Sequence, residues 1–181
     1  MIDRYQAAEI ARIWSEDNKY RKWLDVELAV TEAWAEMGQV PAPSLKRIRR
    51  RAAFDIGRIR EIEKKAKHDV IAFLTSVEES IGADSAYVHK GITSYDVVDT
   101  ALSLLIRESL DLVLDRCREL KRVLLDKAFA YRDLPAIGRT HGVHAEPIAF
   151  GCKFLLWHEE MGRNLERLNQ AQKVAAVGKI S

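Results

Sequence analysis

Asp96-Val97-Val98-Asp99-Thr100-Ala101-Leu102 opens a run that reaches Asp133 without a glycine or a proline. Within it Ile106, Leu110, Val113, Cys117, Leu120 and Leu124 recur at spacings of three and four, the signature of one helix face. The run predicts a single helix of roughly 50 Å, at about 1.5 Å per residue. Leu104, Leu105, Leu112, Leu114 and Leu125 fall outside that stripe, so the helix must bury more than one face. Just ahead of it, Thr93 and Asp96 stand at capping-box spacing, with Asp in place of the usual Glu or Gln.

Downstream, a second long helix is expected from about Ile148 to Val177, with Phe154, Trp157, Met161, Leu165, Leu168 and Ala175 on one face. Between the two lies Gly138-Arg139-Thr140-His141-Gly142-Val143-His144-Ala145-Glu146-Pro147. Its glycines and its proline predict a tight loop, with Pro147 in the first turn of the helix that follows. A helix start of this kind offers unpaired N–H groups and partial positive charge to an anion. Imidazole titrates near neutral pH, which suits His141 and His144 to proton transfer.

Upstream the pattern is again helical. Ser15 is a predicted N-cap, followed by Tyr20, Trp23, Leu24, Val30, Trp34 and Met37 at helical spacing up to Gly38, with Pro41 beyond. Ser44 is expected to start a short helix and Asp55 to cap the next, which carries Ile56, Ile59 and Ile62 on one face. After Lys67-His68-Asp69 come Val70, Phe73, Leu74, Val77 and Ile81, closed by Gly82. No strand alternation of useful length is read, nor any internal repeat. The fold class is therefore all-α: a small N-terminal helical domain over 1–93, then two long antiparallel helices over 94–181. Two such helices cannot cover each other's apolar faces. They call for partner helices from the rest of a longer protein or from other copies.

Composition narrows the function classes. Hydrophobic residues make up 48% and charged residues 31% of the 181, as expected for a folded helical protein. The net charge of +2 gives no case for nucleic acid. The basic run Lys46-Arg47-Ile48-Arg49-Arg50-Arg51 has no interleaved aromatics and reads as a solvated helix face. Cys117 and Cys152 show no metal or disulfide spacing, which points to a reducing compartment. The start Met1-Ile2-Asp3-Arg4-Tyr5 lacks a signal peptide's apolar core, and no run approaches the ~20 apolar residues of a membrane span. A cytoplasmic protein with no membrane partner is expected.

Four sites carry polar residues that helix building does not require: Arg4-Tyr5, Lys67-His68-Asp69, His89 with Thr93-Ser94, and Arg139-Thr140-His141 with His144. Each has a plainer structural reading. Arg4 and Tyr5 can be surface, His68 and His89 structural, and Thr93 a cap. His68 and Asp69, as helical neighbours, would point apart. His141 and His144 lack the further ligands that a zinc site needs, so no metal is expected. His158 reads as helix surface, and Trp14, Trp23, Trp34 and Trp157 as core or interface aromatics. Cations, hydroxyls and histidines together suit a polyanionic substrate and proton transfer, and do not by themselves name a reaction.

In this order the four sites resemble the adenylosuccinate lyase family of the fumarase/aspartase superfamily. The resemblance rests on Arg4-Tyr5, Lys67-His68-Asp69-Val70, Thr93 to Leu102 and Gly138 to Pro147, with Trp157-His158-Glu159-Glu160-Met161 and Arg163-Asn164-Leu165 further on. It covers the whole chain and implies an N-terminal domain followed by the first long helices of an elongated bundle. It also implies a cofactor-free β-elimination of fumarate. The small-molecule substrates would be adenylosuccinate, giving AMP, and the succinyl-carboxamide ribotide of purine biosynthesis, giving the aminoimidazole carboxamide ribotide.

By the same resemblance His141 is the general acid, His68 supports it and His89 contacts phosphate. Arg4, Tyr5, Lys67, Asp69, Thr93 and Ser94 would line the substrate site. The family assembles each site from three subunits of a homotetramer. Its general base is a serine on a mobile loop expected well beyond Ser181, so this stretch is expected to be an N-terminal piece inactive alone. Lys67 stands where the family often has arginine. Lys90 and Tyr95 stand where it more often has an aromatic and a small residue, respectively. Two other readings stay open: a non-catalytic helical oligomerisation module, and a sister lyase acting on another succinylated amine.

Overall fold

A computed structural model describes residues 2–181. After a 3₁₀ turn at Asp3–Tyr5, the helices are α1 (Ala8–Ile13), α2 (Glu16–Glu36), α3 (Ala42–Arg51), α4 (Ile56–Ala66) and α5 (Asp69–Ile81). A 3₁₀ turn at Ala83–Tyr87 leads to α6 (Ser94–Ala130), then strands β1 (Pro135–Thr140) and β2 (Val143–Ala149), and finally α7 (Gly151–Ala175). The fold is all-α apart from one antiparallel ribbon. The chain divides into two compact units, residues 1–106 with 176–181, and residues 107–175, so the division falls inside α6.

In the first unit the expected caps form. Ser15 accepts the Asn18 N–H at 3.2 Å and Asp55 accepts the Arg58 N–H at 2.6 Å. Gly38 takes the positive φ of 73° that ends α2. Helix α3 starts at Ala42, two residues ahead of the expected Ser44, because Pro41 supplies the extended cap. Ser44 is instead buried and accepts Arg47 at 3.1 Å.

Tyr20 and Trp23 from α2 pack on Phe73 from α5. The Tyr20 ring is stacked at 5.7 Å and the Trp23 ring edge-on at 5.4 Å. Ile48, Ile59, Val70, Val77, Val97 and Ala101 complete this core, so α5 buries the face its spacing predicted. Burial also pushes the Tyr20 phenol up to about 12. Two of the five cations in the basic run of α3 are paired within the unit. Arg47 makes a two-pronged pair with Asp84 at 2.6 and 2.8 Å, and Arg49 pairs with Glu32. The Arg47 guanidinium, with Ser44 second, holds the Asp84 carboxyl down at about 2.

In the second unit, α6 and α7 run antiparallel. Gln172 donates to Asp111 at 2.6 Å, and a Cβ on Gly162 would meet Lys121 at 3.2 Å. Leu114 and Ala128 are the buried α6 residues here, whereas Val113 and Leu120 of the expected stripe are exposed. The helix is apolar on several sides, so the stripe alone did not tell which side α7 covers. Trp23 is core, but Trp14 and Trp157 are about half exposed.

The start of α7 is seated tightly on the end of α6 at Gly151, where a Cβ would lie 2.3 Å from the Ala128 carbonyl and 2.9 Å from the Arg132 nitrogen. Alanine would add about 0.5–1 kcal/mol of helix propensity. Forcing a methyl into backbone costs about 1–3 kcal/mol and outweighs it. Gly151→Ala should therefore lower the urea midpoint of unfolding, and an unchanged or raised midpoint would contradict this contact.

Candidate active site

The stretch Gly138–Pro147 is not a loop leading straight into a helix. It forms most of a β-hairpin, and α7 begins only at Gly151. Pro147 sits in β2 opposite Ile137, which a two-stranded ribbon tolerates because both its strands are edges. Between the pairs Ile137–Pro147 and Arg139–His144 the register shifts, with Ala145 and Glu146 opposing Gly138. The turn is His141-Gly142, with φ of 50° and 75°. Positive φ at both central positions is what a tight I′ hairpin turn requires. His141 is therefore presented at the exposed tip, and His144 lies exposed in β2.

A separate cluster forms in the first unit, around a cavity of about 630 Å³. Glu63 and Lys67 come from the end of α4, His68, Asp69 and Val70 from the start of α5, and Thr93, Ser94, Tyr95 and Val98 from the start of α6. Lys67 ends α4 in the left-handed region (φ 55°, ψ 28°), where glycine or asparagine is the usual choice. Its N–H reaches the Glu63 carbonyl at 2.9 Å.

His68 caps α5 with an extended backbone, and its Nδ1 accepts the Ile71 N–H at 3.4 Å. A neutral ring accepting at Nδ1 carries its proton on Nε2. Because His68 lies outside the helix, it does not point away from Asp69; Nδ1 and Oδ1 are 3.6 Å apart. Two helix N-termini, those of α5 and α6, line this one cleft and supply positive potential for an anion.

The loop that brings Thr93 and Ser94 to the cleft has three anchors. The Asp96 carboxylate accepts the Thr93 N–H at 2.8 Å, the acid half of the expected capping box. That N–H first, and Lys179 second, hold the Asp96 carboxyl far below the usual carboxylate range. Trp34 Nε1 donates to the Lys90 carbonyl at 2.7 Å. Glu27, 1% exposed, accepts both the His89 N–H at 3.0 Å and its ring Nδ1 at 2.7 Å.

His89 thus stands against Glu27 and does not line the cleft that gathers Lys67, His68, Asp69, Thr93 and Ser94. Arg4 and Tyr5 lie in the first 3₁₀ turn, exposed, with the guanidinium 4.9 Å over the phenol ring, and they do not line it either. His158, read as surface, is half-buried with Nδ1 2.9 Å from Glu159.

Glu27 is the positioning residue that the sequence reading passed over. Its signal was there: a carboxylate three residues before Val30 and four after Trp23, on the stripe of α2 that is otherwise apolar. Glu63 and Val98 were also missed at the cleft, and nothing in their spacing sets them apart.

A family model described as Lyase matches residues 3–181. The chain is 49% identical over all 181 residues to the adenylosuccinate lyase of Bacillus subtilis (strain 168), and covers 42% of that protein. It is 47% identical over 184 aligned positions to the adenylosuccinate lyase of Aquifex aeolicus (strain VF5), again covering all of this chain and 42% of the relative. The crystal structure of a fumarate lyase from Mesorhizobium sp. BNC1 matches with a TM-score of 0.89 at 27% identity, over 95% of this chain and 41% of that one. The chain spans about two fifths of the length of the curated relatives it matches. Long antiparallel helices, a cleft at two helix starts and a match over nearly every residue agree with one another: the chain belongs to this lyase family.

Proposed function

We propose that this chain is the N-terminal part of an adenylosuccinate lyase, which eliminates fumarate from adenylosuccinate to leave AMP. The same chemistry would convert the succinyl-carboxamide ribotide into the aminoimidazole carboxamide ribotide. The observation that carries the reading is 46–49% identity to adenylosuccinate lyases over the full chain. The chemistry of the cleft supports it. Lys67, the hydroxyls of Thr93 and Ser94 and two helix N-termini suit a substrate with carboxylates and a phosphate.

In the proposed reaction a base removes a proton from the succinyl carbon next to a carboxylate. The C–N bond then breaks, the electron pair goes to nitrogen, and His141 delivers a proton there as fumarate leaves. The base is assigned to none of the residues described here. His68 orients the acid side, Lys67, Thr93 and Ser94 hold the dicarboxylate, and Asp69 lines the site beside them. Arg4 and Tyr5 close the site, and His89 meets the phosphate through the ring nitrogen not engaged by Glu27. No metal or cofactor takes part.

The assembly is proposed to be a homotetramer. Val113, Leu120, Val123 and Phe129 on α6 and Leu155, Leu156 and Trp157 on α7 are exposed apolar side chains that further helices would cover. Purine biosynthesis in the cytoplasm is the proposed setting. No helix among the described residues is long and apolar enough to cross a membrane.

The test is loss of adenylosuccinate absorbance with the whole protein, and with this chain mixed with the remaining segment of a relative. Turnover in either format supports the reading. Absence of turnover in the whole protein would remove it. The likeness to a fumarate lyase favours a second reading, a sister lyase acting on another succinylated amine. A panel of such amines, run beside adenylosuccinate, separates the two.

A further inference from the structure

The geometry points to Tyr95 as a specificity-determining residue that stacks on the heteroaromatic ring of the substrate, an inference that rests on the lyase reading above. The cleft is chemically divided. Glu63, Lys67, His68, Asp69, Thr93 and Ser94 make one side polar, with Lys67 as its cation, whereas Tyr95 and Val98, three residues apart on α6, form an apolar corner. Val70, the other apolar lining residue, is 1% exposed and offers little surface. Tyr95 is 66% exposed and is the only aromatic side chain in the lining. Among the described residues it has no ring contact, although nine aromatic pairs form elsewhere in the chain.

A phenol ring left in water beside a polar wall has two surfaces to satisfy, an apolar face and a polar rim. A flat heteroaromatic ring bearing anionic arms satisfies both sides of the cleft at once: the arms meet the helix starts and Lys67, and the ring covers Tyr95. A cavity of about 630 Å³ is of the size that takes a nucleotide. A fused two-ring base covers more of the phenol than a single imidazole. Tyr95 therefore favours the purine nucleotide over the carboxamide ribotide.

Calorimetric titration of AMP and of fumarate into the whole protein, with Tyr95→Ser and Tyr95→Phe beside wild type, tests this. Tyr95→Ser should weaken AMP about tenfold, the scale of a lost ring stack, and leave fumarate unchanged. Tyr95→Phe should stay within about twofold of wild type, because the ring and not the hydroxyl makes the contact. In turnover, Tyr95→Ser should raise KM for adenylosuccinate more than for the ribotide while kcat holds, the mark of binding shared by ground and transition states.

Equal AMP affinity in wild type and Tyr95→Ser overturns the inference, and so does no AMP binding by wild type. Equal loss in the Ser and Phe variants assigns the contact to the hydroxyl and overturns the stack. Loss of AMP and fumarate together marks a damaged cleft and overturns it as well. The lyase reading is judged separately, by wild-type cleavage of adenylosuccinate. A wild type that cleaves it with no Tyr95 effect leaves that reading standing and removes only this one.

Discussion

Replacing His141 with alanine in the whole protein should lower turnover of adenylosuccinate by about 10²-fold or more, the scale on which a positioned proton donor acts. The argument begins with backbone. His141 takes φ 50° at the tip of the hairpin, ahead of Gly142 at φ 75°. Only a few per cent of non-glycine residues adopt positive φ, and asparagine, aspartate and histidine are the ones that do so most readily. If the turn were chosen for stability alone, asparagine or glycine would serve at least as well. An exposed imidazole on a left-handed backbone is better explained by what the ring does. His141→Asn is therefore the sharper variant, because it keeps a residue suited to the turn and removes the proton donor. It should lose as much turnover as His141→Ala and keep the wild-type unfolding temperature. Single-turnover release of fumarate, followed beside thermal unfolding, reads both. An Asn variant with near-normal turnover would take His141 out of the acid's role.

The long helix was legible because nothing in it argues otherwise. From Ser94 to Ala130 no glycine or proline interrupts the pattern, and Asp96 marks its start. The α5 core face was equally plain, since Val70, Phe73, Leu74, Val77 and Ile81 are all buried as their spacing predicts. The hairpin was not legible. In a two-stranded ribbon neither face need be buried, so Pro135–Thr140 and Val143–Ala149 carry no clean alternation and remain mostly exposed. The residual signal was His141-Gly142, a pair able to take two positive φ angles, flanked by short extended segments. At the cleft, residue types announced Lys67, His68 and Thr93. Glu27 is hidden in the sequence because it stands on a stripe of α2 whose apolar neighbours dominate the pattern.

This position yields the largest expected effect on stability. The Glu27 carboxylate is buried under the loop that carries His89, and among the described residues the imidazole is its side-chain partner. Removing one member of a buried pair leaves the other uncompensated, at a cost on the order of 3 kcal/mol. His89→Ala should lose about that much at pH 7. Glu27→Gln should stay within about 1 kcal/mol of wild type or exceed it, since an amide can accept the His89 N–H at its oxygen and donate its NH2 to Nδ1 of a neutral ring, without a buried charge.

The pH dependence separates this from simple loss of packing. Burial holds the Glu27 carboxyl above its ordinary 4.5, and the contacts from His89 pull it part of the way back. A carboxyl raised in the folded state contributes stability that is complete below its unfolded value. That contribution fades as pH rises through the folded value. Without His89 the restraint is gone and the carboxyl rises further, so the deficit of His89→Ala should be widest near neutral pH and narrow toward pH 4.5. Urea midpoints of both proteins at the two pH values decide it. A deficit that is the same at both would mean that the loop is held by shape and not by charge. The consequence reaches the site, because the same loop delivers Thr93 and Ser94 to the cleft. A His89 variant therefore loosens two proposed carboxylate contacts along with the proposed phosphate contact.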